Sequence, residues 1–261
     1  MGSNFWKVFH SKKPLIGMIH LPPLPAYPAS PGIDKIIEKA IADLHVLEQS
    51  GFDGALVEND NDQPHQIGVS AEIRTAFTQI MKTVVANAII PVGLEIIYDM
   101  KATVEVAHEV GATFVRLDVF VDNVLTKWGK IEAQAAELSK LNEELPGQKP
   151  LLLTDIQVKH AQMLDSKSIT ESASDAIAHG SDAIIVTGEW TGQPPTLEDC
   201  ISAKTLAKDF PVIVGSGLDA RNAGSLLEYC DGAIVGTSIK SGAFVDAAKA
   251  SELVASVKKL S

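Results

Sequence analysis

PVIVGSGLDARNAGSLLEYCDGAIVGTSIK, residues 211–240, reads as strand, glycine turn, helix, strand, glycine turn. Residues 211–214 and 233–235 are short β-branched runs of the kind that fill buried parallel strands. Each run ends in a turn of residues with little or no side chain, Gly215-Ser216-Gly217 and then Gly236-Thr237-Ser238. Glycine lets a backbone approach a ligand closely, and a following helix N-terminus offers unpaired N–H groups. In a (β/α)8 barrel, turns after strands 7 and 8 form a phosphate site. Gly215, Ser216, Gly217, Gly236, Thr237 and Ser238 are therefore expected to hold a phosphate or similar anion. One such turn reads equally well as an ordinary connection. Two of them, one βαβ unit apart, do not.

The same alternation continues outward from this stretch. Strands are predicted over residues 15–20, 54–57, 91–97, 113–119, 150–157 and 182–187, with the two terminal runs completing eight. Helices are predicted over 34–49, 70–87, 99–110, 168–179 and 196–208, another ends near residue 145, and 245–261 forms a closing helix. A proline-rich loop follows the first strand, and residues 1–13 form an N-terminal extension. Eight units without a linker predict one (β/α)8 barrel spanning residues 1–261. An open doubly wound sheet would want a GxGxxG after its first strand, and none is present.

Composition excludes several classes. The formal net charge is −11 and the cations are scattered, which argues against a nucleic-acid surface. Cys200 and Cys230 make neither a disulfide framework nor a metal-binding spacing. The N-terminus lacks a signal-peptide pattern, and no apolar run is long enough to span a bilayer, so a cytoplasmic protein is expected. A homo-oligomer is the expected assembly.

Side chains alternate along a strand, so parity sorts the polar residues at strand ends. Ionisable groups within apolar strands are expected to face the barrel axis rather than the helix layer, where unpaired burial is costly. The resulting ring is His20, Glu58, Glu95, Arg116, Asp118, Asp155, Gln157, Lys159 and Thr187. His20, Glu58, Glu95, Arg116, Asp118, Asp155 and Lys159 are the candidate catalytic residues. Gln157, Thr187 and Trp190 are candidate ligand contacts, Trp190 as a stacking lid. Structural ion pairs of Arg116 with Glu95 or Asp118, and of Lys159 with Asp155, are the competing explanation. No cofactor is specified. A divalent cation on Glu58, Asp60, Asp62 and His65 is one option, and a solvated acidic loop is the other.

KPLIGMIHLPPLP (13–25), GATFVRLDVF (111–120), TDIQVKH (154–160), TGEWTGQPP (187–195) and residues 214–242 together resemble the BtpA family, the BtpA/SgcQ group often labelled photosystem I biogenesis protein. The resemblance covers nearly the whole chain. It implies a ribulose-phosphate-binding-like barrel and, from the namesake, an accessory role in accumulating photosystem I proteins, with association to photosynthetic membranes. It implies no reaction. The family usually has an amide where Glu95 stands, a histidine where Gln157 stands, and small residues in place of Glu189 and Trp190. Two functions follow as expectations. One is an enzyme acting by proton transfer, isomerisation or carbon–carbon cleavage on a phosphorylated or anionic small molecule. The other is a non-catalytic accessory factor with peripheral membrane association, which the negative charge disfavours on anionic lipid.

Overall fold

The β-branched runs pair edge to edge until the sheet closes on itself. The computed structural model describes residues 3–158 and 160–260. Its barrel strands are β1 (Leu15–His20), β2 (Gly54–Glu58), β3 (Val92–Glu95), β4 (Phe114–Leu117), β5 (Leu151–Ile156), β6 (Ala183–Val186), β7 (Val212–Val214) and β8 (Gly232–Val235). All pair in parallel with their sequence neighbours, and β8 pairs with β1. Outside lie α1 (Ile33–Ser50), α2 (Ala71–Asn87), α3 (Met100–Val110), α4 (Ala135–Glu144), α5 (Ile169–Ala178), α6 (Leu197–Ala207), α7 (Ala223–Tyr229) and α8 (Ala247–Lys258). Ser70, Asp99, Ser168, Thr196 and Asp246 cap their helices by accepting backbone N–H bonds. This is the TIM-barrel fold that the alternation predicts.

Parity sorts the strands as expected. Outward residues such as Ile19, Val57, Leu94, Val115 and Leu152 join one large core beneath the helices. Inward residues form a second core inside the barrel, with Ile16, Met18, Leu56, Phe114, Leu153 and Ile185 among them. The N-terminal extension belongs to this inner core. A short helix, Phe5–Val8, brings Phe5 and Phe9 into the barrel floor, where Phe9 stacks edge-on against Phe114 at 5.5 Å. Each ring stabilises the floor by roughly 1.5–3 kcal/mol through burial. Glycines make the room. A Cβ on Gly93 would sit 2.2 Å from Phe114 Cε2, and one on Gly54 would sit 2.9 Å from Phe9 Cε1.

Three differences matter for the mouth. β3 and β4 end earlier than the sequence suggests; after β3, Ile96 N turns to Thr103 Oγ1 and Ile97 N to Asn59 Oδ1. An unanticipated antiparallel sheet, Val124–Thr126, Gly129–Ile131 and Ala161–Met163, joins the loops after β4 and β5. A small hairpin, Lys240–Ser241 with Phe244–Val245, delays the closing helix to Ala247. Among the described residues no helix is long and apolar enough to cross a membrane.

Candidate active site at the barrel mouth

Moving up the barrel, the inward residues change from aliphatic to ionisable. His20, Glu58 and Glu95 stand in one paired row across β1, β2 and β3. Arg116 and Asp155 rise from β4 and β5, and Asp118 lies just past the end of β4. These six line one cavity of about 110 Å³ with Gly215, Ser216, Gly217, Gly236 and Thr237. The mouth therefore brings both glycine turns and most of the predicted ring together.

Arg116 is the hub. Its Nε and Nη2 donate to the two Asp155 oxygens at 2.9 and 2.7 Å, a bidentate pair in which both residues are buried. Its Nη1 lies 3.6 Å from Glu95 Oε2, too long for a hydrogen bond, and that oxygen is buried with no hydrogen-bond partner among the described residues. Burial opposes the guanidinium charge, but Asp155 and then Glu95 outweigh it, so Arg116 stays firmly cationic. One guanidinium cannot balance four carboxyls. Burial pushes Glu95 well above the ordinary carboxylate range; Arg116 opposes the shift, and Glu58, Asp118 and Asp155 add to it. Burial, then the charge of Asp155, pushes Asp118 up to about 7, with Arg116 opposing. Across the cavity, His20 Nε2 lies 3.5 Å from Glu58 Oε2 and its Nδ1 lies 3.5 Å from Asp60 Oδ2.

Other predicted residues fall elsewhere. Gln157 follows the last residue of β5 with φ +52°, so parity no longer governs it. Its backbone N–H goes to Asp122 Oδ2 and its side-chain amide donates to Ser172 Oγ and Lys167 O, on the helix side. Thr187, Gln157 and Trp190 line a separate groove of about 750 Å³. Trp190 packs edge-on against His160 at 5.2 Å rather than over the mouth. Ser238 Oγ donates to Leu218 O and does not line the cavity. Asp62 is drawn away from the metal grouping, accepting from Leu24 N and Asn59 Nδ2. Among the described residues no three His, Cys, Asp or Glu side chains gather to hold a metal ion. Lys159 lies outside the described residues.

The glycine turns serve packing as well as the cavity. A Cβ on Gly217, where φ is +69°, would sit 2.1 Å from Pro194 N. Ser216 Oγ donates to Gln193 O and accepts from Gly188 N, tying the turn to the loop of residues 188–194. That loop is fastened between these points as well. Thr191 N donates to His160 Nε2 at 3.1 Å, Thr191 Oγ1 lies 2.7 Å from the same nitrogen, and His160 N donates to Glu189 O. Thr191 and Gly192 thus reach the cavity wall.

Sequence reasoning missed Tyr98, His160, Thr191 and Gly192 as lining residues. Tyr98 and His160 enter through left-handed backbone, φ +61° and +57°, which alternation cannot anticipate. Burial and then Asp118 push the Tyr98 hydroxyl up, keeping it a neutral donor. His65, considered above only for metal, also lines the cavity, and burial lowers its pKa against the pull of Asp60.

Comparison with known proteins agrees with this architecture. N-(5'-phosphoribosyl)anthranilate isomerase from Pyrococcus furiosus superposes with TM-score 0.60 at 15% identity, covering 95% of this chain and 99% of that one. An uncharacterized Pyrococcus furiosus protein is 40% identical over 88% of this chain and 87% of its own length. The photosystem I biogenesis protein BtpA of Synechocystis is 35% identical over 91% of this chain and 84% of its own length. With the BtpA family model matching residues 11–259 as well, the chain belongs to the BtpA family.

Proposed function

We propose that this protein is an enzyme that binds a phosphorylated or otherwise anionic small molecule at the barrel mouth and moves a proton on it. The carrying observation is the pair of buried carboxyls, Glu95 and Asp118, held above the ordinary range in the cavity that both glycine turns line. A carboxyl that changes protonation near neutral pH accepts or returns a proton with little driving-force penalty. Asp118 takes the base role, Glu95 stays protonated and donates, and the Arg116–Asp155 pair sets the field between them. The anionic end rests against Gly215–Gly217 and Gly236–Thr237, with Thr191 and Gly192 closing over it. Lys159, four residues past Asp155 in sequence, completes the proposal as a second base or a nucleophile. Isomerase-, lyase- or aldolase-type chemistry fits such a set. The barrel neighbour whose name carries a phosphoribosyl substrate supports the anion by analogy of fold.

Inorganic phosphate, titrated while the melting temperature is followed, tests the anion part. The expected result is a saturable rise that sodium chloride at equal ionic strength does not give. A second reading, an accessory factor for membrane-complex biogenesis, rests on the printed name of the Synechocystis relative. It predicts a bound protein or membrane partner instead of that rise.

A further inference from the structure

Behind His20, on the rim shared by β8, β1 and β2, a second cavity of about 260 Å³ is lined by His20, Pro22, Lys39, Asn61, Lys240 and Gly242, among others. Lys240 opens the small hairpin, directly after a short 3-10 turn, Thr237–Ile239. Its Nζ is buried and has no hydrogen-bond partner among the described residues. The neighbouring Lys39 differs. Its Nζ donates to His20 O and to Asp43 Oδ2, both at 2.6 Å, and Asp43 Oδ1 accepts from Val245 N. Lys39 therefore fastens α1, β1 and the hairpin together. The Lys240 amine fastens nothing among the described residues.

A buried ammonium without acceptors loses several kcal/mol of hydration, which shifts the balance toward the neutral amine. Burial, and then the Lys39 charge, lowers the Lys240 pKa to about 8 against the pull of Glu58, Asp43 and Asp60. A neutral amine with its lone pair unengaged is the form in which lysine is a nucleophile, and a nearby cation is one established way to obtain it. The alternative, an anion drawn in by the ammonium, meets opposition. Among the described residues Glu58, Asp43 and Asp60 offset the Lys39 charge acting on Lys240, so the surroundings offer an anion little attraction. An uncharged carbonyl meets no such opposition.

We infer that Lys240 is a carbonyl-reactive nucleophile, and that the cavity behind His20 admits a small aldehyde or ketone that forms an imine with its Nζ. The nitrogen lone pair makes the C–N bond as the carbonyl π pair moves to oxygen. Nitrogen then gives up a proton and oxygen gains one, yielding a carbinolamine. Loss of its hydroxyl as water leaves C=N. His20, which walls the cavity and lies against Glu58, gives the proton for that departure and takes back the proton that nitrogen then releases. Amine and carbonyl become imine and water, so the step needs no oxidant or reductant. It goes beyond the function proposed above and does not require the anion site, since the carbonyl carries no charge.

The test uses the wild-type chain, glyceraldehyde as the probe and cyanoborohydride to reduce any imine, at pH 7.5, with peptide mass spectrometry giving a rate for each lysine. Near pH 7.5 a lysine with pKa close to 8 has about two-hundredfold more free amine than an ordinary one, partly offset by lower nucleophilicity. Lys240 is expected to react at least about tenfold faster than the exposed Lys101 and Lys140. A Lys240 that stays unmodified, or reacts no faster than those two, overturns the inference. No variant has to fold for either result.

Discussion

At the residue scale, Asp118 ties chemistry to stability. Its pKa in the folded chain is about 7, above the ordinary aspartate value, so the folded protein keeps a proton that the unfolded chain has released. That proton stabilises the fold fully below about pH 4, and the benefit is lost as pH rises through about 7. Asp118→Asn removes the titration. It should gain about 2 kcal/mol more, relative to wild type, at pH 8 than at pH 5, read by chemical denaturation at both values. An equal effect at the two pH values would show that Asp118 is an ordinary carboxylate. For Lys159 the test is kinetic. Lys159→Met should lower turnover by about two orders of magnitude with little change in melting temperature. A variant that melts early yet turns over normally would make Lys159 structural. His20, Glu58, Glu95, Arg116 and Asp155 were legible in sequence because strand alternation fixes which face each one takes. Asp118 was legible by the same count although it stands one residue past β4. Gln157 was not, because a single left-handed residue resets the alternation and Asp122 captures its backbone.

At the element scale, the loop of residues 188–194 and the β7 turn act as one unit. Sequence identifies Gly217 as a place for close approach, and the approach is made by Pro194 of the chain itself. Gly217→Ala forces a side chain into left-handed backbone and against Pro194, so the loop has to move. We expect a stability loss of about 1–3 kcal/mol and a clear weakening of the phosphate response. Unchanged phosphate affinity would separate this loop from the anion site. The small sheet after β4 and β5 was beyond sequence reading for a different reason. Its strands are three residues long, and their pairing across residues 126 and 161 is decided by tertiary contact rather than local pattern.

At the scale of the whole molecule, the barrel sorts its interior by height. Phe5, Phe9 and Phe114 seal the floor, aliphatic side chains fill the middle, and the ionisable groups meet at the top. The eight-fold alternation made this legible, since inward positions run from Ile16 to His20 on β1 and from Leu151 to Asp155 on β5. The aromatic floor was not, because residues 1–13 carry no strand or repeat signal that assigns them to the barrel. A cavity of about 110 Å³ is small for a sugar phosphate, so ligand entry should involve the 188–194 loop that His160 and Ser216 fasten. In the function proposed above, this mouth selects one phosphorylated or anionic small molecule. The most direct measurement is mass spectrometry of metabolites retained from a cell extract by the wild-type protein and by Gly217→Ala. One anionic, phosphorylated species should be enriched on wild type and lost or strongly reduced on the variant. Retention of the same species by both proteins, or of none by wild type, would contradict it.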